Sequence, residues 1–510
     1  MQTRQIQLFF GSGRAEKRSH MIGASDVGDS FHTIVIGAGS GGLTVAVGLA
    51  NLGKPVAVVE ALHVGGDCTN VGCVPSKTLI HQAEERGARD PSGALADVRR
   101  KRDALREKET HEFGAVPNLS LIFGRARLAG SQQVVVALPA GDQRTLSAKQ
   151  IVIATGARPR TIAIPGLPAE RTLTNESVFE LPAAPRHLAI VGGGVIGVEL
   201  AFAFRKLGSQ VSLVDMAPRV LTRHLPAAAQ SVEASLRAKG VALHFGVSVH
   251  SYDAPLQMLW VERAGQLVAL EGVDYVLVAV GRVRNLEGLG LEAAGVRFSP
   301  RAGIEADSYG RTNVPGIYAI GDVTATSAFT HSANAQGRRV VQRIAFPWLP
   351  ARAPEPDYPS ATFSDPEVAT AGMSQQQIAE RYRPELIKRI EVSLVTQTDR
   401  GYTDDLQQGA IIVDAVRLTG QILSVTIVGP RASEMISLFT LAIQERISLY
   451  KLYRIVYPYP TFSSGIQKVA DAFLRETLTG LRGELFTYLR YRWAHPRAAG
   501  SAGQPDGSRG

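Results

Sequence analysis

One strand–turn–helix–strand pattern occurs twice in this chain, and the repeat constrains the fold more than any other feature. In each copy an apolar run enters a glycine-rich turn, a helical stretch follows, and a second apolar run ends in an acid. The acids, Glu60 and Asp215, each lie 23 residues after the first glycine of their copy, Gly37 and Gly192. The repeat predicts two α/β units built on parallel strands. The turn glycines are Gly37, Gly39 and Gly42 in the first copy and Gly192, Gly194 and Gly197 in the second.

The spacing of these glycines is typical of a dinucleotide-binding turn. The first glycine permits a tight turn, the second lets the backbone approach a pyrophosphate, and the third allows the helix to pack closely on the strand. The helix N-terminus then presents free N–H groups to the phosphates. Turns that merely join a strand to a helix would explain one copy tolerably but both copies poorly. Two units therefore predict two bound dinucleotides.

The acid of the second unit bears on the choice of nicotinamide nucleotide. Asp215 is placed to accept hydrogen bonds from a ribose 2′-hydroxyl, which favours NAD, because a 2′-phosphate would meet a carboxylate. Arg219 and Arg223 are close enough in sequence to weaken this preference. NADH and NADPH both stay open as the electron donor.

The chain has two cysteines, Cys68 and Cys73, just after the first unit. Two thiols are too few for a disulfide-rich scaffold or a thiolate zinc site, so no permanent metal site is expected. Pro75 suits the first turn of a helix beginning near Ser76, which places Cys73 beside a helix N-terminus that lowers its pKa. The pair could be two unrelated thiols, but a redox dithiol beside a flavin explains it most simply.

The rest of the chain is organised around these two units. A single long helix is predicted from Ser76 to about Lys108, and the Pro-rich stretch 347–359 is predicted to be a linker. Strands and a helix beyond it, over 411–445, indicate an α+β domain. The segment 486–497 is basic and aromatic, and we interpret it as a solvated end helix rather than a contact with a partner or membrane.

Charge and length exclude several classes of protein. The chain has 510 residues and a formal net charge of +9, from 55 Lys and Arg against 46 Asp and Glu. The basic residues are scattered rather than gathered in one stripe, so no nucleic-acid partner is predicted. No apolar run approaches the ~18 residues of a membrane span. The N-terminal segment is too weakly apolar to be read as a signal peptide, whether translation begins at Met1 or Met21. The expected location is cytoplasmic.

The segment around the cysteines resembles the redox-active signature of the flavoprotein disulfide reductases. This family includes dihydrolipoamide dehydrogenase, glutathione reductase and mercuric reductase, and the resemblance extends over residues 33–475. The matching segments are Gly-Gly-Asp-Cys-Thr-Asn-Val-Gly-Cys-Val-Pro-Ser-Lys at 65–77, Ala-Thr-Gly at 154–156, Gly-Arg at 281–282, Thr-Asn-Val-Pro-Gly-Ile-Tyr-Ala-Ile-Gly-Asp at 312–322 and Phe-Ser-Asp-Pro-Glu at 363–367.

The resemblance implies an α/β fold with two Rossmann-type dinucleotide-binding domains and a C-terminal α+β dimerisation domain. FAD and NADH or NADPH are the implied cofactors, and a homodimer is the implied assembly. The implied domains are a discontinuous FAD domain at 32–160 and 278–350, an NAD(P) domain at 161–277, a dimerisation domain at 351–475, and terminal extensions at 1–31 and 476–510.

The resemblance also implies roles for individual residues. Cys73 resembles the thiol that faces the flavin, and Cys68 resembles the interchange thiol that meets the substrate. Lys77 and Glu199 resemble an ion pair beside the flavin, although two surface charges on separate helices are the alternative. The residues predicted to bind the two cofactors are Gly37, Gly39, Gly42, Glu60, Gly66, Lys77, Gly124, Ala126, Thr155, Gly156, Gly321, Asp322, Gly192, Gly194, Gly197, Asp215 and Gly281.

Departures from the family pattern bear on the electron acceptor. Disulfide-reducing members carry a histidine, oriented by a glutamate, where this chain has Tyr459 and Ser464. Tyrosine titrates near ~10 and is a poor base at neutral pH. A tyrosine there, and the aliphatic Val195 over the nicotinamide pocket, resemble mercuric reductase, although that enzyme has a further cysteine pair. His331 is a second candidate acid or base, and a hydrogen-bonded histidine at a helix start explains it equally well.

Three hypotheses for function follow from these residues. The first is a mercuric-reductase-like enzyme, in which Cys68 and Cys73 transiently bind a soft metal ion as substrate, with Tyr459 nearby. The second is a dihydrolipoamide dehydrogenase-like or other disulfide reductase with an unusual base. The third is a redox-sensing flavoprotein with little turnover. The partner is therefore a small-molecule or metal-ion acceptor.

Overall fold

The structure, a computed structural model, describes residues 29–325, 329–349 and 358–492. The sequence features noted at 1–28, in most of the predicted linker and at the end of the basic segment lie outside the described residues. Across the described ranges no helix is both long and apolar enough to cross a bilayer. The cytoplasmic location stays a prediction.

The first half of the chain folds around a seven-stranded sheet. Its order is β3-β2-β1-β6-β5-β4, and β19, from much later in the chain, adds beside β6. Strand β1 pairs in parallel with β2 and β6, and its residues Ile34 and Val35 are fully buried. The elements are β1 (Ser30–Ile36), α1 (Ser40–Asn51), β2 (Val56–Glu60), α2 (Gly66–Asn70), α3 (Cys73–Arg86), α4 (Pro91–Gly114), β3 (Leu119–Phe123), β4 (Arg125–Leu128), β5 (Gln133–Ala137), β6 (Gln143–Ile153) and β7 (Ala157–Pro159).

The long helix predicted between Ser76 and Lys108 is wrong as a single element, because α3 and α4 are separate helices. Gly87 has a positive φ of 56° at the end of α3, and Pro91 opens α4. The Asp90 carboxylate caps α4 by accepting a hydrogen bond from the Gly93 N–H at 2.9 Å. Glycine after a helix and proline at the first turn of the next are common helix boundary signals.

The second unit is a five-stranded parallel sheet of order β11-β10-β9-β15-β8, with the antiparallel sheet β12-β13-β14 beside it. Strand β9 lies at the centre and is buried along its whole length, as a parallel strand covered on both faces should be. The elements are β8 (Thr172–Leu173), β9 (His187–Val191), α5 (Val195–Lys206), β10 (Gln210–Asp215), α6 (Pro226–Ala238), β11 (Ala242–Phe245), β12 (Ser248–Asp253), β13 (Met258–Arg263), β14 (Gln266–Leu270) and β15 (Tyr275–Val278).

The chain then returns to the first unit. Strand β16 (Arg282–Arg284) pairs antiparallel with β7. The two segments that connect the first unit to the second, one leaving and one returning, therefore lie side by side. Helix α7 packs on α1 at short range, since a Cβ added to Gly337 would lie 2.9 Å from the carbonyl oxygen of Gly41. The other elements are β17 (Phe298–Ser299), β18 (Gly303–Ile304), β19 (Ile317–Ala319) and α7 (Thr330–Ala345).

The C-terminal domain is an antiparallel sheet of order β20-β21-β24-β23-β22 covered by helices. Its core includes the fully buried Phe439 and Phe473. The elements are β20 (Ser360–Thr362), β21 (Val368–Gly372), α8 (Gln375–Arg381), β22 (Ile387–Ser393), α9 (Asp399–Thr403), β23 (Ala410–Val416), β24 (Ile422–Val428), α10 (Ala432–Gln444), α11 (Leu449–Leu452), α12 (Ser464–Thr479) and α13 (Leu481–Tyr491). The fold class expected from the sequence is confirmed, and the domain boundaries stay predictions.

Candidate functional site

The first glycine turn is a close-packed junction between β1 and α1. A side chain at Gly42 would overlap the carbonyl oxygen of Gly37, so only glycine fits there. Gly37 has a φ of 103°, which favours glycine. No side chain caps the N-terminus of α1 at Gly39, so the N–H groups of its first turn remain available to an anion.

Glu60, at the end of β2, fixes the turn from the neighbouring strand. One carboxylate oxygen accepts from the Ala38 N–H at 2.7 Å, and the other accepts from the Leu62 N–H at 2.8 Å. Gly124 donates its N–H to the Glu60 carbonyl at 2.8 Å, so a second predicted cofactor residue adjoins this edge. Ala126 lies one strand further along, on β4.

The cysteine segment passes directly over the glycine turn. A Cβ added to Gly66 would lie 2.8 Å from the Cα of Gly39, and Gly66 has a φ of 57°. Asn70 anchors the segment by donating to the carbonyl oxygens of Val64 at 3.0 Å and Gly66 at 2.8 Å. These contacts hold Cys68 and Cys73 beside the anion-binding end of α1.

The two thiols are inequivalent. Both are free, so the structure represents the reduced pair. The pKa of Cys73 is lowered to about 6, chiefly by a hydrogen bond from Cys68, while the charge of Lys77 and a hydrogen bond from Thr330 also lower it against the effect of burial. Donating that bond raises the pKa of Cys68, and its burial adds to the effect. At neutral pH Cys73 is therefore the thiolate and Cys68 the thiol.

Lys77 and Glu199 form the predicted ion pair, and the pair joins three parts of the chain. Lys77 Nζ lies 2.7 Å from a Glu199 oxygen, and Glu199 is 3% exposed. The other Glu199 oxygen accepts from the Phe363 N–H at 2.9 Å, and the Phe363 ring lies 4.5 Å from Lys77 Nζ. The alternative of two surface charges is wrong, because helix α3, helix α5 and the C-terminal domain meet here.

A half-buried arginine, Arg282, lies at the start of β16, where the chain returns to the first unit. Arg282 pairs with Asp67 and lies 3.6 Å from Asp322, yet its Nε has no hydrogen-bond partner among the described residues. Burial raises the pKa of Asp322, and Gly321 before it donates its N–H to Gln336 at 2.7 Å. A buried donor that makes no hydrogen bond is costly, even with an ion-pair partner at 3.6 Å, which indicates that a polar ligand group completes this cluster.

The remaining predicted glycine and threonine positions border the same region. Thr155 donates its hydroxyl to the Asn285 carbonyl at 2.9 Å and accepts in return, through its own carbonyl, from the Asn285 side chain at 2.9 Å. Gly156 and Gly281 both have a positive φ, of 69° and 122°, and a side chain would meet nothing at either one. This free space leaves room for a ligand beside the two segments that connect the units.

The second glycine turn repeats the arrangement of the first. A side chain at Gly197 would overlap the carbonyl oxygen of Gly192, and no side chain caps α5 at Gly194. Asp215 accepts from the N–H groups of Gly193 at 2.5 Å and Ala217 at 2.7 Å. The turn can therefore bind a second dinucleotide in the same way.

Arg219 does not extend freely toward such a nucleotide. Its guanidinium donates to the carbonyl oxygens of Thr222 and His224, 3.3 to 3.5 Å away, within its own loop. The hydrogen bonds of Arg219 therefore keep its guanidinium within this loop, while the Asp215 carboxylate lies at the end of β10 beside the glycine turn.

The candidate acids and bases are separated. His331 Nε2 donates to the Pro359 carbonyl at 2.7 Å and the ring stacks on Phe329, which supports a structural helix-start role, while burial lowers its pKa. Its neighbour Thr330, which the sequence did not single out, contacts Cys73 Sγ at 3.6 Å. Tyr459 lies on the C-terminal domain and is 74% exposed.

Two carboxylates that contact predicted site residues or their neighbours were not singled out from the sequence. Asp399 accepts from the Tyr459 hydroxyl at 2.7 Å, and this bond raises the pKa of the phenol. Glu109, on α4, is 6% exposed and accepts from the Thr69 hydroxyl at 2.9 Å, between the cysteines. Burial raises the pKa of Glu109. No local motif marks either residue.

These features agree with the comparison to known proteins. The profile of the pyridine nucleotide-disulphide oxidoreductase family matches residues 31–337, and that of the family's dimerisation domain matches 358–470. The chain belongs to this family, so its activity is that of an FAD-dependent oxidoreductase with NAD(P)H as the electron donor.

Individual relatives give a finer picture. Dihydrolipoyl dehydrogenase 3 of Pseudomonas aeruginosa is 32% identical, over 87% of this chain and 97% of its own length. Mercuric reductase of Acidithiobacillus ferrooxidans is 31% identical, over 93% of this chain and 88% of its own. A solved structure, the Cu(II) complex of the HOCl-induced flavoprotein disulfide reductase RclA from Escherichia coli, superposes with a TM-score of 0.79 at 26% identity, covering 87% of this chain and 99% of that one.

The residues present fit FAD. The uncapped end of α1 suits its pyrophosphate, Glu60 lies where a ribose hydroxyl binds, and the unpartnered Nε of Arg282 lies beside Asp322. FAD would supply hydride acceptance and electron transfer here. The residues of the chain would hold it, and they lower the pKa of Cys73 and bury Glu199.

Proposed function

We propose that this enzyme uses NADH to reduce a soft metal ion, Hg(II) or Cu(II), at the dithiol of Cys68 and Cys73. The proposal also takes the enzyme to be a homodimer, in which Tyr459 of one subunit lies near the thiols of the other. The dimerisation domain supports the assembly. Thiolate ligands prefer soft metals, and the described residues contain no cluster of three or more potential ligands that would compete for the ion.

The observation that carries the proposal is the bond between Tyr459 and Asp399. Because the carboxylate raises the pKa of the phenol, Tyr459 stays protonated at neutral pH and cannot act as a general base. A disulfide-exchange reaction that needs a base at this position lacks one. A metal ion needs none, since Cys73 is already a thiolate and the ion displaces the proton of Cys68 itself. The phenol oxygen, with its hydrogen directed to Asp399, keeps its lone pairs for a cation.

The electron balance is simple. One NADH releases two electrons, NAD⁺ and a proton; these electrons reduce one Hg(II) to Hg(0) or two Cu(II) to Cu(I). The mercuric reductase relative and the copper-bound structure of RclA each support one of these ions. The chain has no cysteine beyond Cys68 and Cys73, so the ion would have to reach this pair without a further thiol relay.

The test is anaerobic NADH oxidation by purified holoenzyme with Hg(II) or Cu(II), followed by detection of Hg(0) vapour or of Cu(I) with a specific chelator. Cys68→Ala should abolish the metal-dependent rate. Tyr459→Phe should lower it about tenfold and Asp399→Asn about threefold, as loss of hydrogen-bonded positioning does. Tyr402→Phe is the matched control, because Tyr402 is also exposed on the C-terminal domain. A wild-type rate of NADH oxidation that does not increase when Hg(II) or Cu(II) is added would overturn the proposal.

Reduction of a disulfide or oxidation of dihydrolipoamide is the second candidate function. It is favoured by the Pseudomonas aeruginosa dihydrolipoyl dehydrogenase, which matches over nearly its whole length. Lipoamide and glutathione disulfide in the same assay separate the two candidates, since a rate above that with metal would support this one. Slow turnover with every acceptor would instead support a redox-sensing role.

A further inference from the structure

Helix α13 lies beyond the matched dimerisation domain and is anchored on its inner side. It begins at Leu481, whereas the dimerisation-domain profile ends at residue 470. Glu484 is buried and accepts hydrogen bonds from Lys388 at 3.0 Å and Arg417 at 2.8 Å. Tyr488 packs against the small cluster that contains Val416. The helix therefore presents one fixed face to the outside.

That outer face is apolar and basic. Phe486 is 65% exposed, and Leu481, Leu485 and Leu489 are 44–51% exposed. Leu478, at the end of α12, adds to the same patch with 59% exposure. A solvated helix normally directs charged residues outward, so four large apolar side chains there need an explanation.

The charges on this face have one sign. The exposed residues of α13 include Arg482 and Arg490 but no acid, and the one acid of the helix, Glu484, is buried and paired. Arg492 follows at the end of the helix and is exposed. Arginine stems can lie along apolar surface while their guanidinium groups reach an anionic layer.

We propose that α13 binds the surface of an anionic lipid bilayer, lying in the plane of the headgroups. The outer face of α13 carries exposed apolar side chains and only basic charges, which is typical of helices that lie at a membrane surface. Its apolar side chains cover a wider arc of the helix than the narrow seam of a coiled coil. A second copy of the chain fits less well, because a symmetric contact would bring the same arginines together without acids to pair them. The site is independent of the electron acceptor.

The test is co-sedimentation of the full-length holoenzyme with vesicles of phosphatidylcholine, alone or mixed equally with phosphatidylglycerol. We expect binding about tenfold stronger to the mixed vesicles, and weaker as salt is added. Leu485→Glu with Leu489→Glu should abolish it. The matched control is Leu256→Glu with Leu267→Glu, at positions 62% and 50% exposed in the second unit.

Several results would overturn the proposal. One is wild-type protein that stays in the supernatant with both vesicle types, and another is equal binding by the Leu485 and Leu489 double variant. A third is wild-type protein that does not bind vesicles but forms a larger oligomer, which the double variant does not form. That result would assign the face to contact with a second copy of the chain. Flavin content and NADH oxidation without vesicles should match in all variants, which shows that they fold.

Discussion

The charge of Lys77 keeps Cys73 ionised, so its removal should move the titration of this thiol. A thiol ordinarily titrates near ~8.5, and the structure lowers the pKa of Cys73 to about 6. The hydrogen bond from Cys68 is the largest cause, and the attraction of Lys77 is the largest contribution from a full charge. Lys77→Met removes that charge and leaves the Cys68 bond in place.

The magnitude follows from the helix geometry. Cys73 and Lys77 are four residues apart on α3, which places their side chains about 6 Å apart. With an effective dielectric constant of about 20, two charges at that distance attract by about 2.8 kcal/mol. Lys77 is 34% exposed and paired with Glu199, and both solvent and the carboxylate screen its charge. We therefore expect about half of that attraction, about 1.4 kcal/mol, which corresponds to about one pKa unit for Cys73.

The assay is an anaerobic pH titration of the NADH-reduced holoenzyme, which follows the long-wavelength absorbance of a thiolate against flavin. This band should appear as the pH rises through the pKa of Cys73, near 6 in the wild type and about one unit higher in Lys77→Met. Glu199→Gln should move the midpoint the other way, because the Glu199 carboxylate raises the pKa of Cys73. Lys101→Met, exposed on α4, is the control.

Midpoint shifts of opposite sign in Lys77→Met and Glu199→Gln would distinguish an electrostatic effect on Cys73 from a structural disturbance of the site. If both Lys77→Met and Glu199→Gln moved the midpoint upward, the ion pair would act by holding α3 and α5 together rather than by its field. If neither moved it, Lys77 would have no electrostatic effect on Cys73, and the explanation of its low pKa would be refuted.

Three further predictions concern the cofactors and the buried acid. The carboxylate of Asp215 should make kcat/KM at least about tenfold higher for NADH than for NADPH, and Asp215→Ser should reduce that ratio in steady-state assays; equal ratios would refute this reading. Gly42→Ala should lose most bound FAD, measured by absorbance, because its Cβ would overlap the Gly37 carbonyl, whereas Gly114→Ala, in open space, should keep it. Burial raises the pKa of Glu109, so the folded protein binds that proton more tightly and loses stability as the pH rises above ~4. Glu109→Gln should therefore raise Tm at pH ~7, with an increase in the free energy of unfolding on the order of 1 kcal/mol, and should leave Tm unchanged near pH ~4. An increase in Tm at both pH values would contradict this explanation.

The parts of the site that a local motif encodes could be predicted from the sequence. Each glycine turn lies within 23 residues of its own acid, and the chemistry of a tight phosphate-binding turn leaves few alternatives. Cys73 and Lys77 share a helix, so their proximity follows from its period. Helix limits were harder, although Gly87 and Pro91 are ordinary boundary signals in hindsight.

Other residues reach the site only through packing of distant segments. Thr330 is 257 residues from Cys73, and Asp399 is 60 residues from Tyr459. Glu109 lies on the buried side of α4, in a stretch with no motif, and contacts Thr69 because α4 packs beside α2. Hydrogen bonds of this kind depend on tertiary contacts that neither periodicity nor composition encodes.

The pH dependence of turnover links these residues to the choice of acceptor. A soft metal ion that binds both thiols releases the proton of Cys68, so its rate should rise with pH as that release becomes easier. A disulfide substrate has the opposite requirement, because the thiolate that leaves must take up a proton. In the proposed dimer Tyr459 could give that proton, but Asp399 makes it a weak donor because it raises the pKa of the phenol. Metal reduction should therefore survive Tyr459→Phe better at high pH than at low pH, whereas disulfide reduction should lose activity most at high pH.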